Sequence, residues 1–264
     1  MNQKTAIIGG GNLGTAIAQG LINSNFCPAE NITITKRNIS TLKGALPKSV
    51  KITDDNAKAA AESEVIILAV KPFQIAGVMQ TITPQLTKKH TLISVITGVT
   101  VADLKEMAKI ELPVFRAMPN TAVAIRQSMT CISYDNATEK QVQLVTRMFN
   151  TVGKVAVIDD KLMDAATVLG ACGTAYALRY IRANIQGGIE IGFDAKTASL
   201  IAAQTVKGAA DLLLTNNSHP EQEIDKVTTP KGCTIVGLNE MEHRGFSSSL
   251  IRGIISSYKK IAKD

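Results

Sequence analysis

The chain has no tryptophan, and aromatic residues make up only 4% of it. Nucleic-acid surfaces combine stacking aromatics with clustered cations, whereas here the lysines are spread along the chain. The net charge of +7 therefore does not by itself point to DNA or RNA. A basic surface equally serves small anionic ligands, or is simply solvated. The four cysteines, Cys27, Cys131, Cys172 and Cys233, show no C-x-x-C spacing. That argues against a disulfide framework and a structural zinc site, and for reduced thiols in a cytoplasm. No apolar run approaches the ~20 residues that span a membrane. The opening "MNQKTAIIGG" runs straight into a strand-like segment without a signal-peptide layout. A cytoplasmic protein with no membrane or nucleic-acid partner is expected.

Catalytic side chains of the familiar kinds are scarce too. His90, His219 and His243 are the only histidines, and none has a Ser or Cys partner at informative spacing. Glu240-x-x-His243 has di-iron spacing, but such sites need two copies and further glutamates, so a surface pair on a helix is the better reading and no metal is expected. Cys233 has no visible activating base.

What the chain does carry is pattern. Its 264 residues, 45% of them hydrophobic, suffice for a real core and for two domains. In the first half, apolar runs at Thr5–Ile8, Ile32–Thr35, Glu64–Val70, Thr91–Ile96 and Val114–Met118 alternate with helical stretches such as Leu13–Asn23 and Asn56–Ala61. Runs like "EVIILAV" are apolar at every position, as in parallel strands covered on both faces. "CISYD" and "GKVAVID" extend the strand pattern to about Asp159. Residues 1–159 read as a doubly wound α/β domain. From 160 to 264 only helical patterns follow. Over Asp194–Thr215, which an Asp cap opens after Gly192, the charged residues Lys196, Lys207 and Asp211 fall within a stripe of about 60° at ~100° per residue. A helix so apolar elsewhere needs cover nearly all round, and a dimer whose helical halves pack together supplies it.

The chemistry-bearing residues gather at strand ends. "GGGNLG" gives Gly9-x-Gly11-x-x-Gly14 after the first strand and before a helix, the setting of a dinucleotide-binding loop. At the end of the second strand, where an NAD enzyme places an acid, the chain has Lys36 and Arg37. Two cations suit the 2′-phosphate of NADP, with a solvated basic turn as the plainer alternative. "AVKP" (Ala69, Val70, Lys71, Pro72), Thr97–Gly98 and "MPNTA" (118–122) occupy the equivalent places on later strands, where open α/β sheets bind ligands. In the second half, "VTTPKGCTIVGL" (227–238) sets a Pro-Lys-Gly turn at a helix mouth. That is either an ordinary cap or a pocket for a negatively charged group.

These segments occur in the order and spacing of a known family. GGGNLG, TKR, LAVKP, SVITGV and RAMPNTA, then "GACGTAYALRYIRANIQGGIEIGFDAKTASLIAAQTVKGAADLL" and "HPEQEIDKVTTPKGCTIVGLNEMEHRGF", resemble pyrroline-5-carboxylate reductases over essentially the whole chain. The resemblance implies a Rossmann-type N-terminal domain and an all-helical dimerisation domain, with homodimers sometimes assembled into larger rings. It implies reduction of the imine 1-pyrroline-5-carboxylate to L-proline with NADPH or NADH. By motif, the glycine loop with Asn12 and Leu13 would hold the pyrophosphate. Asn56, Ala69–Pro72 and Thr97–Gly98 would line the rest of the cofactor, and Asn120 would lie near the nicotinamide. Gly232, Cys233 and Thr234 would form the substrate loop, the backbone N–H groups binding the carboxylate and the Thr234 hydroxyl meeting the ring nitrogen.

Two departures stand out. Lys231 replaces a usual glycine, where it either strengthens carboxylate binding or points to solvent. "GACGTAY" (170–176) replaces Ser-Gly-Ser-Gly-Pro-Ala-Tyr. The alternatives are a related NADP-dependent imine or β-hydroxyacid dehydrogenase and a non-catalytic NADP-binding relative. The first is disfavoured because "YALRYIRAN" (176–184) offers Arg179 and Arg182 but no lysine as acid/base. The second is disfavoured because Gly232 and Thr234 are retained.

Overall fold

The apolar runs become strands because each carries side chains for two cores. In the computed structural model, which describes residues 3–42 and 44–262, eight strands form one sheet in the order β3-β2-β1-β4-β5-β6-β7-β8. They are β1 Thr5–Ile8, β2 Ile32–Thr35, β3 Lys51–Thr53, β4 Val65–Leu68, β5 Thr91–Ser94, β6 Val114–Met118, β7 Ser128–Asp135 and β8 Gly153–Val157. The helices of this part are α1 Asn12–Asn23, α2 Asn56–Ala61, α3 Ile75–Ile82, α4 Val101–Ala108, α5 Glu139–Asn150 and α6 Met163–Ala166. Successive residues of a strand point to opposite faces. Ile7, Ile34, Ile67, Ile93 and Phe115 therefore pack with Ile17 and Leu21 of α1 and Phe149 of α5. Their neighbours Ala6, Ile8, Ile66, Leu68, Leu92 and Val114 pack with Met79 of α3 and Leu104 of α4. Neither face reaches water, which is why the runs show no polar alternation.

Three features depart from the pattern read in sequence. β3 is an additional strand, three residues long, with Lys51 exposed at the sheet's edge and paired in parallel to β2. β4 and β5 are shorter than the apolar runs, ending at Leu68 and Ser94. Finally, β7 runs antiparallel to β6, starting at Ser128, so the sheet is mixed rather than wholly parallel. The reason is the connection, 119–127, which holds only a short 3-10 turn, Thr121–Ile125. A parallel return needs a crossover of a dozen or more residues.

By contacts the chain divides into two compact units, 1–172 and 173–264. The helical pattern begins near Asp160, but 160–172 belongs with the sheet. Arg116 of β6, only 2% exposed, bonds Asp164 at 3.0 Å and lies 3.5 Å from Asp160. Asp160 also accepts from Ser133 Oγ of β7 at 2.6 Å. A π-helical stretch, Thr167–Cys172, closes this unit.

The second unit is helical: α7 Gly173–Glu190, α8 Ala195–Asn216, α9 Pro220–Lys226, α10 Cys233–His243 and α11 Phe246–Ala262. Asp194 caps α8, accepting from the N–H groups of Lys196 and Thr197 at 3.0 and 3.1 Å. Gly188 of α7 faces Ala198 of α8, where a β-carbon on Gly188 would come within 3.2 Å. Tyr176 of α7 and Ser257 of α11 share a 2.6 Å hydrogen bond. Only Ala198 and Ala202 are buried hydrophobics among the described residues of this unit, while Leu178, Leu200, Leu214, Val236 and Ile251 are exposed. No described helix is long and apolar enough to cross a membrane.

Candidate active site

The glycine loop works because each glycine meets a different neighbour. Gly9 has φ +116°, and a β-carbon there would lie 2.5 Å from Ala69 O, so β1 and β4 are held close at their ends. Gly14 lies under the loop, where a β-carbon would fall 2.1 Å from Gly9 O. Gly11 differs: nothing lies within 4 Å of its would-be β-carbon. It is the N-cap of α1, and no side chain caps that helix. The N–H groups of Gly9 and Gly10 are already used, donating to Thr35 O at 3.2 and 2.6 Å. What remains at the mouth of α1 is open space beside uncapped first-turn N–H groups, with the positive end of a helix behind them. A phosphate fits that space, and a side chain at position 11 would fill it.

Around this mouth, between the ends of β1, β2, β3, β4 and β5, lies a cleft of about 1040 Å³. It occupies the sheet's switch point, where β2 and β4 leave β1 on opposite sides. Gly9, Gly11, Asn12 and Leu13 line it, with Lys36, Arg37, Asn56, Ala69, Val70, Lys71, Pro72 and Thr97. Lys36 is half-buried and Arg37 exposed, and no carboxylate stands at the end of β2. Lys71 begins a small turn, its N–H donating to Gln74 Oε1 at 3.2 Å.

The cleft wall also holds residues that the sequence reading did not single out: Gly10, Thr35, Asn38, Asp54, Gln74, Val78, Val95 and Ile96. Thr35 and Asn38 flank the two cations, so the end of β2 was the available signal for them. Asp54 directly follows β3, a strand that the sequence pattern does not announce.

Gly14, Gly98 and Asn120 are not among the lining residues. Gly14 serves packing, as its contact with Gly9 shows. Gly98, at φ +76°, turns the chain after β5. Asn120 is engaged on both sides of its amide. Its Oδ1 accepts from Ala122 N–H at 3.1 Å, and its Nδ2 donates to Gly170 O in the π-helical stretch at 3.1 Å. Asn120 thus ties the end of β6 to the segment that carries the GACG departure.

In the helical unit, Thr229-Pro230-Lys231-Gly232 forms a β-turn closed by Gly232 N–H donating to Thr229 O at 2.9 Å. Proline at the second position and a positive φ at the third is the type II pattern, which favours glycine third. Lys231 takes that place with φ +59°. Left-handed backbone costs a residue with a β-carbon about 1–2 kcal/mol. Gly232 is then the N-cap of α10, again with no side-chain cap. The hydroxyl of half-buried Thr234 makes no hydrogen bond to the described residues, and Cys233 is exposed. This second helix mouth offers N–H donors, hydroxyls and a thiol, and 229–236 contain no carboxylate or histidine.

The other candidates resolve differently. Glu240 bonds Arg244 at 2.9 Å, and no group of three or more possible metal ligands occurs among the described residues. The four cysteines are free thiols, and none forms a disulfide.

Comparison with known proteins places this geometry. Residues 4–98 match the family model described as NADP oxidoreductase, coenzyme F420-dependent, and residues 160–264 match pyrroline-5-carboxylate reductase dimerisation. Pyrroline-5-carboxylate reductase 2 of Dictyostelium discoideum is 40% identical, over 99% of this chain and 93% of that protein. The chain belongs to the pyrroline-5-carboxylate reductase family. Reductase 1 of the same organism is 44% identical over 97% of this chain, which spans only 49% of that longer relative. Among solved structures, a pyrroline-5-carboxylate reductase from Coxiella burnetii superposes with a TM-score of 0.93 at 27% identity, covering 100% of this chain and 98% of that one. A pyrroline carboxylate reductase from Plasmodium falciparum, with NADP bound, gives 0.88 at 26% identity, covering 98% and 97%. For the reductase family, then, the α/β unit is the NADP-binding part and the helical one the dimerisation part.

Proposed function

We propose that this protein reduces 1-pyrroline-5-carboxylate to L-proline with NADPH, in the cytoplasm and as a homodimer formed through its helical half, with rings of dimers as the larger assembly. The observation that carries the reading is the mouth of α10: backbone donors without a side-chain cap, a Thr234 hydroxyl without a hydrogen bond to the described residues, and no carboxylate or histidine in 229–236. A protonated ring imine accepts hydride readily, so its reduction asks for binding and orientation rather than for a nucleophile. The match of the dimerisation model from residue 160 supports a functional division at Asp159, with 1–159 for the cofactor and 160–264 for dimerisation and substrate.

When bound, the nicotinamide supplies the hydride. The chain's own residues do the rest. The mouth of α1, with Gly11, Asn12 and Leu13, holds the pyrophosphate, while Lys36 and Arg37 pair with the 2′-phosphate. Asn56, Ala69–Pro72 and Thr97–Gly98 shape the remaining wall, and Asn120 fixes the backbone at the nicotinamide end. The N–H groups of Gly232, Cys233 and Thr234 bind the substrate carboxylate. Thr234 Oγ orients the ring nitrogen and keeps water from competing for it. Cys233 is small enough to let the substrate approach the backbone. In the overall change the C=N double bond becomes single, the carbon gains hydride, and the nitrogen keeps the proton of the iminium ion.

The test is isotopic. With the transferable hydrogen of NADPH replaced by deuterium, mass spectrometry should find one deuterium at the former imine carbon of the proline formed. Unlabelled proline, or none, contradicts the proposal.

A further inference from the structure

We propose that Asp54 is a specificity-determining residue of the cofactor cleft. Its carboxylate accepts from the adenosine ribose hydroxyls of NADH and opposes the 2′-phosphate of NADPH, tempering the preference set by Lys36 and Arg37. The inference rests on the reading of this cleft as the dinucleotide site. NAD enzymes usually carry a ribose-binding acid at the end of the second strand. Here that place holds two cations, and the acid stands one strand over. Thr35 of β2 pairs with Thr53 of β3, and Lys36 N–H donates to Thr53 O at 3.0 Å. Asp54 therefore leaves the sheet beside Lys36, and both line the cleft together with Arg37. Asp54 is the only carboxylate among the described residues of that lining.

Other acceptors at this end of the cleft are in use or uncharged. Thr35 Oγ1 accepts from Gly9 N–H at 3.3 Å, and Asn38 Oδ1 accepts from Ser40 N–H and Oγ at 3.2 and 2.6 Å. Asn56 offers a neutral amide. Asp55, next in the chain, caps α2 by accepting from Lys58 N–H at 2.9 Å. The carboxylate of Asp54 makes no hydrogen bond or ion pair to the described residues, Lys36 and Arg37 included. Lysine and arginine only donate, whereas a ribose hydroxyl also has an O–H that needs an acceptor. A carboxylate accepts it in a charge-assisted bond. Toward a 2′-phosphate the same group is a like charge, and its repulsion offsets part of the attraction of the two cations.

The test measures binding first, on the full-length protein without the imine. Titration calorimetry gives the dissociation constants of NADPH and NADH for wild type, Asp54→Ala, Asp54→Asn and Asp54→Glu, at ionic strengths of about 0.05 and 0.5 M. Asp54→Ala should weaken NADH binding about fivefold, the scale of an exposed charge-assisted hydrogen bond. It should tighten NADPH binding about twofold at the lower ionic strength, so that the preference for NADPH rises about tenfold. That gain for NADPH should vanish at the higher ionic strength, where exposed charges are screened. Asp54→Asn, which keeps an acceptor without the charge, should lie between, and Asp54→Glu should stay near wild type. In turnover of 1-pyrroline-5-carboxylate, the ratio of kcat/KM for the two cofactors should move with the ratio of dissociation constants. An unchanged preference in Asp54→Ala, with proline still formed, would overturn this inference and leave the reductase assignment standing. An equal loss of affinity for both cofactors would also overturn it, by making Asp54 a structural residue of the cleft. The expected shift in preference, in a protein that forms no proline, would support this inference and remove the assignment. Binding of neither cofactor by the wild type would overturn both.

Discussion

Gly232 lies so close to Thr229 that a β-carbon on it would fall 2.5 Å from Thr229 Oγ1 and 3.0 Å from Thr229 O. The first contact involves a side chain and the second the carbonyl that closes the turn, so an added methyl group pushes the two ends of the turn apart. Gly232→Ala is therefore expected to lower kcat/KM for the imine acid at least tenfold, a misplacement effect of the kind that positioning sites show, with the NADPH dissociation constant unchanged. Thr229→Ala in the same protein should restore part of the loss, because it relieves the closer contact. Kinetics and cofactor titration of the single and double variants provide the check.

At the other helix mouth, two glycines of one motif should behave in opposite ways. Gly11 faces open space at an ordinary φ of −80°, so Gly11→Ala should leave the melting temperature where it is. If the α1 mouth holds the pyrophosphate as proposed, the methyl group should take its place and weaken NADPH binding about tenfold or more, the equivalent of one charge-assisted hydrogen bond lost. Gly14→Ala drives a β-carbon to 2.1 Å from Gly9 O and should damage folding itself. Thermal unfolding beside cofactor titration distinguishes the two.

In the proposed reading, Lys36 and Arg37 set the choice of cofactor. Replacing both by alanine removes two charge-assisted partners of the 2′-phosphate, so kcat/KM with NADPH should fall by more than about tenfold. With NADH, which lacks that phosphate, the change should stay within about twofold. An equal loss with both cofactors would sink the phosphate assignment.

Away from the site, Asp103 illustrates a pH effect with a definite sign. Its carboxylate accepts from Thr100 N–H at 2.8 Å in the capping box of α4, and this backbone bond holds its pKa below the usual carboxylate value. A depressed folded-state pKa means stability that is present above the unfolded-state pKa, near 4, and is lost as pH falls through the lower folded value. The stability gap between wild type and Asp103→Asn should be full at neutral pH and shrink below about pH 4. Urea unfolding of the two proteins across that range measures it, and a gap that widens in acid would contradict the assignment.

Much of this architecture can be read in the sequence where a single residue's requirement is local. The apolar runs of β1, β2, β4, β5 and β6 announce strands buried on both sides, and the Gly9–Gly14 spacing announces the loop that follows β1. Asp194 announces the start of α8. The missing pieces depend on partners far away in the chain. β3 is three residues long, with exposed Lys51 at its start, and only pairing with β2 makes it a strand. The antiparallel sense of β7 is a property of its neighbour, which strand alternation does not encode.

The candidate site divides in the same way. Lys36 and Arg37 follow a strand directly and stand out, whereas Asp54, Gln74 and Val78 reach the cleft only through the crossing of strands and helices. The Pro230–Lys231 turn is plain in the sequence, but its left-handed third residue is not, because lysine gives no sign of positive φ. Nor does the sequence reveal that the Asn120 amide is spent on Gly170 and Ala122.

The most direct measurement is a steady-state assay of the purified protein with 1-pyrroline-5-carboxylate, following NADPH absorbance and proline together and repeated with NADH. The account predicts one proline formed for each NADPH oxidised, with NADPH strongly preferred. Tight NADPH binding with no oxidation and no proline would contradict it.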